Sequence, residues 1–158
     1  MIEPEEIIEA RIVAALVAAN VPLEVIGAIA PASEGEEKYA PLSQVYVVAD
    51  AASQDMDWIG PGVPCSYTVR VSVHVAFADD KTGALFRDVC RVVRGTLAAL
   101  MGDGCDSLSG DGFSCDGFTL DGTSTALETV GDGEGMTKSY TATVKGRFTP
   151  PTEPGEED

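Results

Sequence analysis

One histidine, four cysteines and a set of Asp-Gly pairs are the residues of this chain whose types suit chemistry. His74 alternates with Arg70 and Ser72 in an extended segment. A catalytic base needs a nucleophile or an orienting acid within reach. Ser72 and His74 stand two residues apart, which puts them roughly 7 Å apart on one side of a strand. That is too far for a direct hydrogen bond from those positions, and no G-x-S-x-G elbow occurs. A small hydrolase is therefore the weakest reading, and His74 reads as a surface or interface residue. Cys65, Cys90, Cys105 and Cys115 show no C-x-x-C spacing, so a Cys/His zinc site finds no support. Cys90 falls at the edge of a helical apolar arc and reads as a small core residue. Neither a G-x-x-x-x-G-K-S/T loop nor a strand-linked G-x-G-x-x-G is present. The expectation is a non-enzyme, with no catalytic residue, no cofactor and no metal.

Calcium is the metal that needs the fairest hearing. Asp111, Asp116 and Asp121 each precede Gly at a spacing of five. Carboxylates and loop carbonyls are the ligands calcium takes. The EF-hand alternation and its closing Glu are missing, however, and so is the nonapeptide repeat. Asp-Gly pairs also supply positive-φ turns between short strands. That turn reading is preferred, with residues 102–122 expected to be mobile and to hold no metal strongly. A calcium-dependent binding module is the alternative, and a thermal melt with and without calcium separates the two.

The sharpest charge feature is a strip of arginines. Acids number 26 and bases 10, a net charge of −16. Such a balance disfavours wide phosphate contact, which needs clustered Lys and Arg. Yet residues 65–101 hold Arg70, Lys81, Arg87, Arg91 and Arg94 against Asp79, Asp80 and Asp88. At 100° per residue, Arg87, Arg91 and Arg94 fall within about 60° of one another on a helix. The bland reading is a solvated helix face. Like charges at this spacing repel, however, and become favourable when acids lie opposite. A second copy of so acidic a chain supplies them, through Glu34, Glu36 and Glu37 or the Asp-Gly loops.

These residues must be positioned by a small set of elements. Residues 4–19 read as a helix, with Pro4 in its first turn and Glu5, Glu6 and Glu9 at the positive end of its dipole. Ile8, Ile12, Ala15, Leu16 and Ala19 share one face. Val13 and Val17 form a second apolar strip, so burial on more than one side is expected. Two such valines offer about 3–4 kcal/mol if a neighbour buries them. Pro22 ends the helix. Residues 23–30 suit a short strand, 31–41 a polar loop, 44–48 a strand and 51–64 a loop. The clearest strand is 67–77, where Tyr67, Val69, Val71, Val73, Val75 and Phe77 alternate with polar positions. Residues 81–101 form a second helix capped by Asp79 or Asp80. Leu85, Phe86, Val89, Val92, Val93, Leu97 and Leu100 lie on its apolar arc, and the arginines on its back. Strands follow at 113–120, 126–130 and 139–149, with a turn at 131–135. Tyr140, Ala142, Val144 and Phe148 share the apolar face of the last. The order helix, strands, helix, strands predicts an α+β domain over 1–149, mostly an antiparallel sheet of four or more strands with both helices on one face. Residues 150–158 read as an acidic, disordered tail.

At 158 residues the chain is about one domain, with 44% apolar and 23% charged residues, an ordinary globular mix. The apolar stretch 12–19 lacks the basic flank of a signal peptide and is too short to span a membrane. A cytosolic protein with reduced thiols is expected.

The layout as a whole resembles a known family. A helix leads through a loop to Ala-Pro-Leu-Ser-Gln-Val-Tyr-Val-Val at 40–48. A long alternating strand runs into a helix, and a closing hairpin ends in Ser-Tyr-Thr-Ala-Thr-Val-Lys-Gly-Arg-Phe at 139–148. Over residues 4–149 this resembles the tail terminator, or tail completion, proteins of long-tailed bacteriophages. The resemblance rests on the order and lengths of elements; the Asp-Gly stretch and the cysteines are no part of it. It implies a structural virion protein, assembled in the bacterial cytoplasm. Such proteins cap the tail tube as a hexameric ring, stop its polymerisation and join the head. The implied partners are further copies of the chain, the tail-tube protein and the head-connector protein, with no specific nucleic acid and no membrane. A neck, head-closure or tail-tube subunit is the alternative within phage particles. The expected interface residues are Val13, Val17, Arg87, Arg91 and Arg94.

Overall fold

In the computed structural model, which describes residues 3–27, 43–54, 62–110, 112–130 and 133–149, the helices and strands follow the expected order. They are α1 (Pro4–Ala18), β1 (Glu24–Gly27), β2 (Gln44–Gln54), β3 (Val63–Ala76), α2 (Ala84–Ala99), β4 (Phe113–Val130) and β5 (Gly133–Phe148). Short 3-10 segments lie at Phe77–Asp79 and Gly102–Leu108. One sheet takes all five strands in the order β1-β2-β3-β5-β4. Its pairs are antiparallel except β1 with β2, which is parallel. The fold is α+β with a mixed, mostly antiparallel sheet.

β3 sits at the centre because its alternation gives it one fully apolar face. Tyr67, Val69, Val71, Val73 and Val75 are all buried. The register extends these positions into rows across the sheet: Val47, Val71 and Tyr140 in one, Ala49, Val69 and Ala142 in the next. A slip of one residue would turn every row to solvent, so the pattern itself selects the register. α1 packs on β1 and β2, α2 packs on β3, and the two helices touch. Ile8, Ile12 and Leu16 of α1 and Val89, Val93 and Leu97 of α2 join the inward rows in a single core. Both helices therefore cover the same face.

The ends of the helices depart from the sequence reading in instructive ways. α1 stops before Pro22. Asn20 takes a left-handed φ of 61°, its N–H bonds the Val17 carbonyl, and the Val21 N–H bonds that of Leu16. This is a Schellman closure, with Asn in the place usually held by Gly. Ala19, expected on the buried face, is exposed. The N-cap of α2 is Gly83, not an aspartate. The Asp80 carboxylate nevertheless reaches the first turn from outside, accepting from the N–H groups of Leu85 at 3.2 Å and Phe86 at 2.9 Å. Asp79 instead accepts from the Ser43 hydroxyl at 2.6 Å.

The strands are longer than their local composition suggests. β2 continues through Ala51 to Gln54 and β3 begins at Val63, so residues 51–54 and 63–64 of the expected loop at 51–64 are sheet. Phe77 does not continue the alternation; the chain has entered a 3-10 turn and the ring is 42% exposed. β4 is one strand of 18 residues, not two. The Asp-Gly pairs at 116–117 and 121–122 lie within it, where register shifts fall between Cys115 and Gly117 and between Leu120 and Gly122. They are β-bulges: an extra residue on one strand bends it without ending the pairing. Only Gly112, of the three glycines that follow these aspartates, takes a positive φ, 89°. Asp111 lies outside the described residues. β5 starts at Gly133, within the expected turn at 131–135. The segment expected to be mobile is anchored by buried Cys105, Leu108, Phe113, Cys115 and Phe118. The expected loop at 31–41 and the tail at 150–158 lie outside the described residues.

Candidate assembly surface

α2 puts its apolar arc into the core and its basic back into solvent, as an amphipathic helix does. Arg87, Arg91 and Arg94 are all exposed. Two of them find local partners, and for Arg91 that partner is an acid of its own helix, contrary to the expectation that acids must come from outside. Arg91 Nη1 lies 3.3 Å from Asp88 Oδ1, one helical turn away. Arg87 Nε donates to the Gly83 carbonyl at 3.3 Å, which also accepts the Arg87 backbone N–H at 3.2 Å. Arg94 makes no ion pair among the described residues. It looks instead across a groove toward Lys138 and Tyr140 of β5.

That groove, about 560 Å³ in volume, runs between α2 and the β4–β5 hairpin. It exists because α1 and α2 pack over β1, β2 and β3, leaving the helix-side face of the hairpin open beyond Tyr140. Phe86, Cys90, Ala98 and Tyr140 make its floor, and Arg87, Arg91, Arg94 and Lys138 its charged wall. Lys138 Nζ sits 5.4 Å from the centroid of the Tyr140 ring, within cation–π range. Burial pushes the Tyr140 phenol well above its usual range, with neighbouring Cys90 adding to it and Arg94 opposing. Leu127, on the same hairpin, is 67% exposed.

The α1 candidates separate. Val13 is half-buried and packs against the core of its own chain. Val17 is 59% exposed. The helix has one buried face rather than two, which roughly halves the apolar contribution expected of the pair. Glu9, expected at the positive end of the helix dipole, is 3% exposed, and its carboxylate lies against Gly27, where an added side chain would have to displace it. Nothing in the sequence signals this. Lys138 did carry a signal: it is a charge on the inward side of a strand otherwise lined by Tyr140, Ala142 and Val144.

The residues read as possible chemistry are held apart. Ser72 Oγ lies 3.2 Å from Ser139 Oγ, and His74 Nδ1 lies 3.1 Å from Thr137 Oγ1. Each therefore faces β5, not the other, and the Tyr46 ring stands edge-on to His74. All four cysteines are free and buried. Cys105 Sγ lies 3.7 Å from the Cys115 carbonyl oxygen. Burial, with Cys105 alongside, pushes the Cys115 thiol up to about 12. Asp121 accepts from the Thr143 hydroxyl at 2.5 Å, and Asp116 lies 3.8 Å from Arg147. Among the described residues no group of three or more His, Cys, Asp or Glu is placed to hold a metal ion. No helix among them is long and apolar enough to cross a membrane. Compared with known proteins, the chain matches no family model and no curated sequence.

Proposed function

We propose that the chain is a ring-forming subunit of a bacteriophage tail. Six copies cap the tail tube, end its polymerisation and offer a surface to the head connector. The observation that carries this reading is the pair of unlike surfaces at opposite ends of the sheet. Exposed Val17 lies on α1, over the β1–β2 end. The cationic groove lies at the β5–β4 end. Unlike surfaces on opposite sides of a subunit make heterologous contacts, and these close into a ring when the rotation permits.

Charge supports the same reading. A chain of net charge −16 lets a like-charged polymer pass through a ring without gripping it. Six of its ten cations lie on α2 and β5, and those that line the groove attract an acidic neighbour. Assembly on the tube end, with only weak association in free solution, prevents premature rings.

The test reverses Arg87 and Arg91 to Glu in the phage that encodes the chain. The double variant should fold normally and yield tails of uncontrolled length. Normal tails would mean that the strip is only a solvated face.

A further inference from the structure

We infer that the groove between α2 and the β4–β5 hairpin receives the acidic segment 153–158 of a neighbouring copy. This rests on the ring reading above and names the contact that joins one subunit to the next.

The groove asks for an acidic peptide. Arg94 and Lys138 face it without an ion pair among the described residues, and the Arg91–Asp88 pair is exposed on both sides. Exposed pairs of that kind hold weakly, so Arg91 is available to a better partner. The other acid at its margin, Asp121, lies toward the bulge and is bonded to Thr143. Between the cations the floor is apolar, formed by Phe86, Ala98 and Tyr140. A free anion would gain nothing from such a floor, whereas a peptide carrying prolines among its acids uses both parts.

Residues 150–158 have that composition. They include Glu153, Glu156, Glu157 and Asp158 and no Lys or Arg, with Pro154 among the acids and Pro150 and Pro151 before them. Prolines hold a segment extended and lower the entropy lost on docking. Four acids match the four cations of the groove. The other acid-rich segment, with Glu34, Glu36 and Glu37, carries Lys38 beside them and complements the groove less well.

Reach decides between the chain's own groove and a neighbour's. The groove opens beside Lys138, ten residues before the end of β5 at Phe148. At about 3.3 Å per residue, that end lies roughly 33 Å away. Glu153 is five residues beyond Phe148 and spans at most about 18 Å; Glu156 spans at most about 29 Å. Within one copy only Asp158 reaches as far as Lys138, and only on a fully straight path. A neighbouring copy faces no such limit.

The probe is a fluorescent peptide of residues 149–158 with an amidated end, titrated into the full-length chain and followed by anisotropy. It should bind, weaken with added salt, and bind about tenfold more weakly to R94E/K138E, as loss of several exposed pairs predicts. A peptide with Gln at 153, 156 and 157 and Asn at 158 should lose the same affinity, with no need for a folded variant. No binding, or binding indifferent to both changes, overturns the inference. Sedimentation velocity of the same chain judges the ring separately. Association that persists while the peptide fails to bind overturns this contact and spares the ring. Peptide binding to a chain that never associates, even at tube ends, overturns the neighbouring copy as occupant together with the ring.

Discussion

The Tyr140 hydroxyl donates a 3.1 Å hydrogen bond to the carbonyl oxygen of Cys90, joining β5 to α2 across 50 residues of sequence. The bond fixes the floor of the groove and the spacing between Arg94 and Lys138. Removing it in Tyr140→Phe should cost about 1 kcal/mol, the usual net value of one such bond. Urea unfolding should show a lower midpoint at unchanged slope. An unshifted midpoint would mean that ring packing alone holds the strand to the helix.

Asp80 should matter more than its place outside the helix suggests. Its carboxylate serves two N–H groups of the first turn of α2. Asp80→Ala should destabilise the fold by about 1–2 kcal/mol, as loss of a good cap does. Asp80→Asn keeps one acceptor oxygen and should recover part of the loss. Equal losses in the two variants would contradict the capping role.

Alkali should unfold the chain through its buried thiols. Burial raises Cys65 and Cys90 above their ordinary value of 9.0, and raises Cys115 to about 12. A raised thiol binds its proton more tightly folded than unfolded. Its contribution is full below about 9 and is lost as pH rises toward 12. Thermal melts should therefore show Tm falling across that window, and Cys115→Ala should flatten the fall. A Tm that holds steady up to pH 12 would contradict the burial.

Gly146 stands in a row between Cys65 and Cys115, against the Phe113 ring and the Ser114 carbonyl. An added methyl group has no room. Gly146→Ala should cost about 1–3 kcal/mol by overpacking. Gly117→Ala, at the first bulge of β4, meets nothing and should cost far less. Similar losses at both positions would show that strand propensity, not space, decides.

The central strand was legible because period two is a local property: Tyr67 through Val75 reveal their face without any knowledge of partners. The bulges were not. An Asp-Gly pair has the same local chemistry in a turn and in a bulge, and only the long run of β5 alongside Asp116 and Asp121 makes them bulges. Phe77 continued the alternation on paper, but the chain turns there to bring Asp80 to α2. The arginine strip was visible from helical spacing. The groove was not, because Lys138 and Tyr140 reach it from 44 or more residues downstream of Arg94, through sheet register. Glu9 reads as a first-turn acid attracted by the dipole, and its burial against Gly27 depends on where β1 packs.

The central claim, that this chain ends tail growth as a ring, is tested most directly by tail length. Electron micrographs of lysates from the encoding phage, with the chain deleted and then restored, give the distribution of tube lengths. The account predicts tubes of uncontrolled length without the chain and a single length once it is restored. Tubes of one normal length in its absence would contradict it.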